Sequence, residues 1–188
     1  MRNVLACLAL CAVPLAGMAQ DDGPGPNLVI EVSGEANGRV VIDMFADVAP
    51  KHVEQITALA EEGAYDGVAF HRVIDGFMAQ TGDVQCGVAT ANCPAGIGGS
   101  DRPDLPAEFS DIPYDRGIVG MARAQNPNSA NSQFFIMFDE GHFLNGQYTV
   151  VGRVIEGMDV VDSIRLGDGP NGSVTGTPDM MQTVSVVR

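Results

Sequence analysis

Arg72 stands in a mostly apolar run, Phe70-His71-Arg72-Val73-Ile74, and Asp75-Gly76 separates that run from a second one, Phe77-Met78-Ala79-Gln80-Thr81. Asp-Gly between alternating apolar residues is a strong hairpin signal, so Phe70–Ile74 and Phe77–Thr81 read as paired strands. Side chains alternate across a strand, which predicts Arg72, Phe70 and Ile74 on one face of the first and Met78 and Gln80 on one face of the second. A guanidinium is thereby set beside a thioether and an amide. A buried charge left unpaired is costly, so Arg72 needs acceptors, and Gln80 and Gln133 are the candidate neighbours. Other chemistries lack their residues. His52, His71 and His142 have no second His or Cys at metal-ligand spacing, so no metal site is expected. A G-x-S-x-G nucleophile elbow is also missing.

The elements that must position these groups follow from pattern and punctuation. Arg2, the apolar run Val4–Leu15 and Ala16-Gly17-Met18-Ala19 read as a signal peptide cut after Ala19, and a dozen or so apolar residues fall short of the roughly 20 needed to span a bilayer. Residues 1–19 are therefore assigned to a signal peptide, 20–26 to a flexible segment rich in Asp, Gly and Pro, and 27–188 to one folded domain. Leu28–Val32 and Val40–Met44 read as a hairpin. Pro50 suits the first turn of a helix on which Val53, Ile56, Leu59 and Ala60 form an apolar stripe, with Gly63 as its stop. Val84–Pro113 is a long irregular segment, and loops of that length in compact domains are usually functional. It is expected to form one rim of a groove. Strands resume at Gly117–Ala122, Gln133–Phe138 and Tyr148–Val154, a second helix is expected over Gly157–Leu166, and Thr183–Val187 closes the chain. Many strands with two helices and no repeated βαβ period predict a mainly β, predominantly antiparallel fold.

The formal net charge is −14, and loss of Arg2 with the signal peptide makes it −15, which argues against a nucleic-acid partner. Lys51 is the only lysine. Cys86 and Cys93 remain after cleavage, and in an oxidising compartment an even pair is best read as a disulfide; a redox switch and two free thiols are the alternatives. Asn171-Gly172-Ser173 fits the glycosylation pattern, a match frequent by chance.

Three ordered segments resemble one family. Phe70–Asp83, the stretch from Met121-Ala122-Arg123 to Ser132-Gln133-Phe134-Phe135-Ile136, and Phe143–Gly152 are similar to the signatures of the cyclophilin peptidyl-prolyl isomerases, in their bacterial exported form. The resemblance implies a closed eight-stranded antiparallel barrel capped by two helices. It gives Arg72, with Gln80 and Gln133, the catalytic place, and makes Phe77, Met78, Phe135, Phe143, Leu144 and Tyr148 the wall of a proline pocket. Ala122 and Arg123 match the segment whose main chain pairs with substrate. Phe143, Tyr148 and Arg123 stand where the family commonly has Trp, His and Asn. No cofactor is implied. The expected partners are proline-containing unfolded or exported polypeptides, met by a periplasmic monomer. A chaperone that holds proline segments, with isomerisation incidental, is the rival reading.

Phe143 yields a first prediction. A Trp there offers an indole N–H to a carbonyl of cyclosporin, whereas Phe offers none. A drug carbonyl desolvated without a partner costs about 1–3 kcal/mol, so Phe143→Trp should tighten inhibition in a peptide isomerisation assay at least roughly fivefold. Turnover should change little, and unchanged inhibition would show that Phe143 lies elsewhere.

Overall fold

The computed structural model describes residues 22–188. The expected signal peptide lies outside the described residues, as do the first two positions of the 20–26 segment. Nine strands form one sheet: β1 (Asn27–Ser33), β2 (Gly38–Met44), β3 (Val68–Ala69), β4 (Arg72–Ile74), β5 (Met78–Thr81), β6 (Ile118–Met121), β7 (Phe134–Met137), β8 (Val150–Glu156) and β9 (Met180–Val187). Their spatial order is β3-β9-β1-β2-β8-β6-β7-β5-β4, and every pairing is antiparallel. This corrects the expected closed eight-stranded barrel. The sheet curls until its two edges, β3 and β4, are consecutive pieces of one chain segment, but they do not pair with each other. Between them Phe70 N–H donates to the Asp179 carbonyl and the His71 carbonyl accepts from Val174 N–H, so the break is filled by the segment before β9.

The break also overturns a predicted face. Phe70 is buried in the main core with Val73, while Arg72 and Ile74 face the other way, because two residues of irregular backbone reset the alternation. The predicted hairpin itself forms, with register Arg72↔Gln80 and Ile74↔Met78. Gly76 takes φ +63° in its turn, a conformation that residues with a Cβ avoid.

Strand alternation divides the apolar residues into two clusters. Phe134, Ile136, Val119 and Met121 point into the main core with Leu28, Ile30, Ile42 and Met181. Phe135, Met137, Met78 and Ile118 point out of the opposite face and pack with Tyr114, Leu144 and Val150. The second cluster is the floor of the site. Helix α1 (Pro50–Glu61) covers the core with Val53, Ile56, Leu59 and Ala60, as the stripe predicts. Helix α2 (Met158–Asp162) is shorter than expected, starting from Gly157 at φ +87°, although Ile164 beyond its end is still buried.

Ala49 precedes α1 and gives it no side-chain cap. The Glu108 carboxylate, delivered by the long loop, takes that place. It accepts from the Lys51 and His52 amides at 3.3 and 3.2 Å and sits 2.6 Å from Nδ1 of the buried His52. A carboxylate at a helix N-terminus satisfies orphan donors and meets the positive end of the dipole. Burial pushes the Glu108 carboxyl up, but the hydrogen bonds from His52 and Lys51 outweigh it and leave the pKa below its ordinary 4.5. A depressed carboxyl stabilises the fold above its unfolded pKa and loses that contribution as pH falls through its folded pKa. Glu108→Gln should therefore lower unfolding free energy at neutral pH by about 0.5–2 kcal/mol, the range for a lost cap. In denaturant titrations the gap between variant and wild type should close below pH 4.5. A gap independent of pH would contradict this role.

Candidate active site

Arg72 enters the site from β4, and pairing with β5 puts Gln80 directly opposite it. Arg72 Nη1 donates to Gln80 Oε1 at 3.1 Å and lies 3.8 Å from Met78 Sδ. The other edge of the guanidinium is held by a residue that sequence reasoning did not place here. Arg72 Nε donates to the Asn171 carbonyl at 3.0 Å and Nη2 to Asn171 Oδ1 at 3.3 Å. Asn171 adopts φ +56°, ψ +29°, a left-handed conformation that Asn tolerates better than most residues. The side chain flagged by the glycosylation pattern is thus a ligand of the arginine. A guanidinium has five N–H donors. These contacts leave one Nη2 hydrogen without a partner among the described residues, and one Nη1 hydrogen held only by the weak sulfur acceptor. Burial lowers the pKa of Arg72, with Tyr148 opposing, but arginine stays charged in proteins.

Gln133 does not touch Arg72. It acts at one remove, because Gln80 Nε2 donates to Gln133 Oε1 at 2.9 Å. Gln133 Nε2 in turn donates to the carbonyls of Gly96 and Gly98, at 3.2 and 2.8 Å. The chain of hydrogen bonds has one sense only. Loop carbonyls fix which end of the Gln133 amide faces Gln80, and that fixes which end of Gln80 faces the arginine.

A cavity of about 320 Å³ opens beside this chain, lined by Arg72, Phe77, Met78, Gln80, Ala122, Arg123, Phe135, Phe143, Leu144 and Tyr148. Every site residue expected from sequence lines it except Gln133. Met78, Phe135 and Leu144 are buried and form the floor, whereas Phe143 is 67% exposed at the rim, its ring 5.5 Å from that of Phe77. Gly120 lets the floor close: a Cβ there would lie 2.5 Å from the Tyr114 hydroxyl and 2.6 Å from the Phe135 ring, which stack at 5.7 Å. Arg123 lies over the Tyr148 ring, 4.3 Å from its centroid, and donates to the carbonyls of Gln147 and Ala124. Its donors are largely occupied by backbone carbonyls of neighbouring residues. A second cavity of about 490 Å³ adjoins, lined by Gln80, Gln133, Ala122, Arg123 and residues 96–100 of the long loop, so that the loop forms the expected rim.

Two polar side chains that order this rim were not singled out from sequence. Asp83 accepts three loop amides, and Asn131 Oδ1 accepts from the amide and hydroxyl of Ser100. A disulfide joins Cys86 and Cys93 within the same loop. His71, next to Arg72, is buried, and burial lowers its pKa with Asp83 opposing, so the ring is neutral at neutral pH. No group of three or more His, Cys, Asp or Glu is placed to hold a metal among the described residues.

The site is a cavity with a floor of Met78, Phe135 and Leu144 and one oriented, partly free guanidinium on its wall, carried by a curled antiparallel sheet with two helices. Residues 28–186 match the family described as cyclophilin type peptidyl-prolyl cis-trans isomerase, and the chain belongs to that family of enzymes. A Brucella suis protein described as "Probable peptidyl-prolyl cis-trans isomerase" is 53% identical over 182 residues, covering 95% of this chain and 92% of the relative. A peptidyl-prolyl cis-trans isomerase of Arabidopsis thaliana is 38% identical over 131 residues, covering 66% of this chain and 75% of that one. Among solved structures, a cyclophilin of Hirschia baltica superposes with a TM-score of 0.71 at 27% identity, over 88% of this chain and 75% of its own. A Cryptosporidium parvum cyclophilin-type isomerase, solved in the presence of the dipeptide Ala-Pro, gives 0.72 at 26% identity, over 86% of this chain and 99% of its own.

Proposed function

We propose that this chain catalyses cis-trans isomerisation of X–Pro bonds in exported polypeptides, with Arg72 as the donor that stabilises the twisted bond. The observation that carries the reading is the Arg72 guanidinium, gripped on both edges by Gln80 and Asn171 yet keeping, among the described residues, one Nη2–H without a partner and one Nη1–H held only by the Met78 sulfur, beside a largely apolar-walled cavity. Rotation about an X–Pro bond faces a barrier of about 18–20 kcal/mol from amide resonance. Twisting the bond localises the lone pair on the prolyl nitrogen, which can then accept a hydrogen bond that the planar ground state cannot. A donor at that point acts mainly in the transition state and lowers the barrier. The proline ring is held by Phe77, Met78, Phe135 and Leu144, with Phe143 and Tyr148 at the rim. The main chain at Ala122 and Arg123 flanks the cleft where the substrate backbone would lie. No covalent intermediate or cofactor is required.

Support for a proline ligand comes from the Cryptosporidium parvum relative solved in the presence of Ala-Pro. Support for an exported, periplasmic location comes from the charged start and apolar run of residues 1–19 and from the Cys86–Cys93 disulfide, a bond that persists in oxidising compartments. Among the described residues no helix is long and apolar enough to cross a membrane.

The test is exchange spectroscopy on a short X–Pro peptide with wild type and Arg72→Ala. Loss of the donor should lower turnover about 10²-fold or more, while binding of the peptide falls much less because the apolar floor is intact. Near-full turnover in Arg72→Ala would refute the mechanism and leave the rival reading, a proline-segment binder.

A further inference from the structure

We propose that Asp83 is a positioning residue for the isomerase reaction, setting the orientation of Gln133, and through it of Gln80 and Arg72, by holding the loop after β5. The proposal rests on the isomerase reading above. Asp83 is fully buried, at 0% exposure, and both its oxygens are occupied by backbone donors. Oδ1 accepts from Cys86 N–H at 2.8 Å, while Oδ2 accepts from Gly96 N–H at 2.7 Å and Gly98 N–H at 3.0 Å. One carboxylate therefore ties both ends of residues 86–98 to the end of β5. The Cys86–Cys93 bridge closes the same stretch covalently. Packing around the carboxylate is tight: a Cβ on Gly98 would lie 2.5 Å from Asp83 Oδ1 and 3.0 Å from Cys86 Sγ.

The consequence lies on the other side of those two glycines. Their amides face Asp83, and their carbonyls are the acceptors for Gln133 Nε2. A glutamine amide can turn over at almost no steric cost, so only its partners decide which end is which. If Gln133 turned over, its NH₂ would face the NH₂ of Gln80. Gln80 would then have to turn as well, and its NH₂ would face the Arg72 cation instead of its oxygen. The loop carbonyls exclude that arrangement as long as they stay in place, and Asp83 is what keeps them there. Both carboxylate oxygens accept backbone amides, and Asn offers one oxygen with an NH₂ in the place of the other, so at least one amide would face a donor and Asn is not an equivalent replacement. The proline pocket does not include Asp83. Its loss should therefore impair turnover rather than substrate binding.

The test is a double-mutant cycle in the X–Pro exchange assay, with Asp83→Asn, Gln133→Ala, the double variant and Arg72→Ala measured side by side. If Asp83 acts through Gln133, each single substitution should lower kcat roughly tenfold, KM should move less than about twofold, and the double variant should be no worse than about twofold below the slower single one, because coupled residues are not additive. Multiplied losses, or a loss carried by KM, would overturn the proposal. A merely structural role for Asp83 would lower stability without this coupling to Gln133. If Asp83→Asn does not fold, Gly98→Ala displaces the same loop from the other side of the carboxylate. The same cycle with Gln133→Ala then decides between coupled and multiplied losses as before. Should Arg72→Ala retain full turnover, the isomerase reading itself fails, whatever the Asp83 cycle shows.

Discussion

A guanidinium on the wall of an apolar cleft must meet two opposed requirements. It has to be paired well enough that its burial is tolerated, because a buried charge without partners is strongly unfavourable. It must also keep a donor free, or it has nothing to offer a substrate. Arg72 meets both through asymmetry: neutral acceptors grip its two edges, Gln80 on one and Asn171 on the other, and no carboxylate pairs with it among the described residues. A carboxylate would hold the cation more strongly and take up its fork of donors. Neutral amides hold it in place and leave its charge available to the cleft.

The rest of the site can be understood as support for that arrangement. Antiparallel pairing sets β4, β5 and β7 side by side so that Arg72, Gln80 and Phe135 lie across one face. Gln133, one residue before β7, extends the chain of amides to the long loop, and the buried Asp83 fixes the loop to the end of β5. The second arginine of the cleft shows the contrast. Arg123 stacks on Tyr148 and directs its donors to the carbonyls of Gln147 and Ala124, so it builds the wall that Arg72 works from.

What could be read in the sequence was whatever is encoded locally or repeated periodically. Two-residue alternation and Asp75-Gly76 located the hairpin that carries Arg72 and Gln80, and helical spacing with Pro50 located α1 and its buried stripe. Alternation failed where the backbone departs from it. Phe70 turns into the core because β3 and β4 are separate strands, and the same break makes nine strands in a curled sheet where a closed eight-stranded barrel was expected. Single polar side chains gave no local sign of their distant partners. Asn171 reaches Arg72 across 99 residues, and Asp83 orders a loop through amides 13 and 15 residues further on. The family resemblance supplied the pocket residues, which composition alone would have assigned to the core; Met78, Phe135 and Leu144 are in fact both buried and pocket-lining.

The central claim is that the Arg72 donor is oriented before any substrate arrives. The most direct measurement is ¹⁵N relaxation of the Arg72 Nε–H group in the ligand-free protein. Held by the Asn171 carbonyl and by Gln80, it should give an order parameter near roughly 0.85, the value of rigid backbone, and binding an X–Pro peptide should change it little. An order parameter below about 0.6 in the free protein, rising only when peptide is bound, would contradict the account.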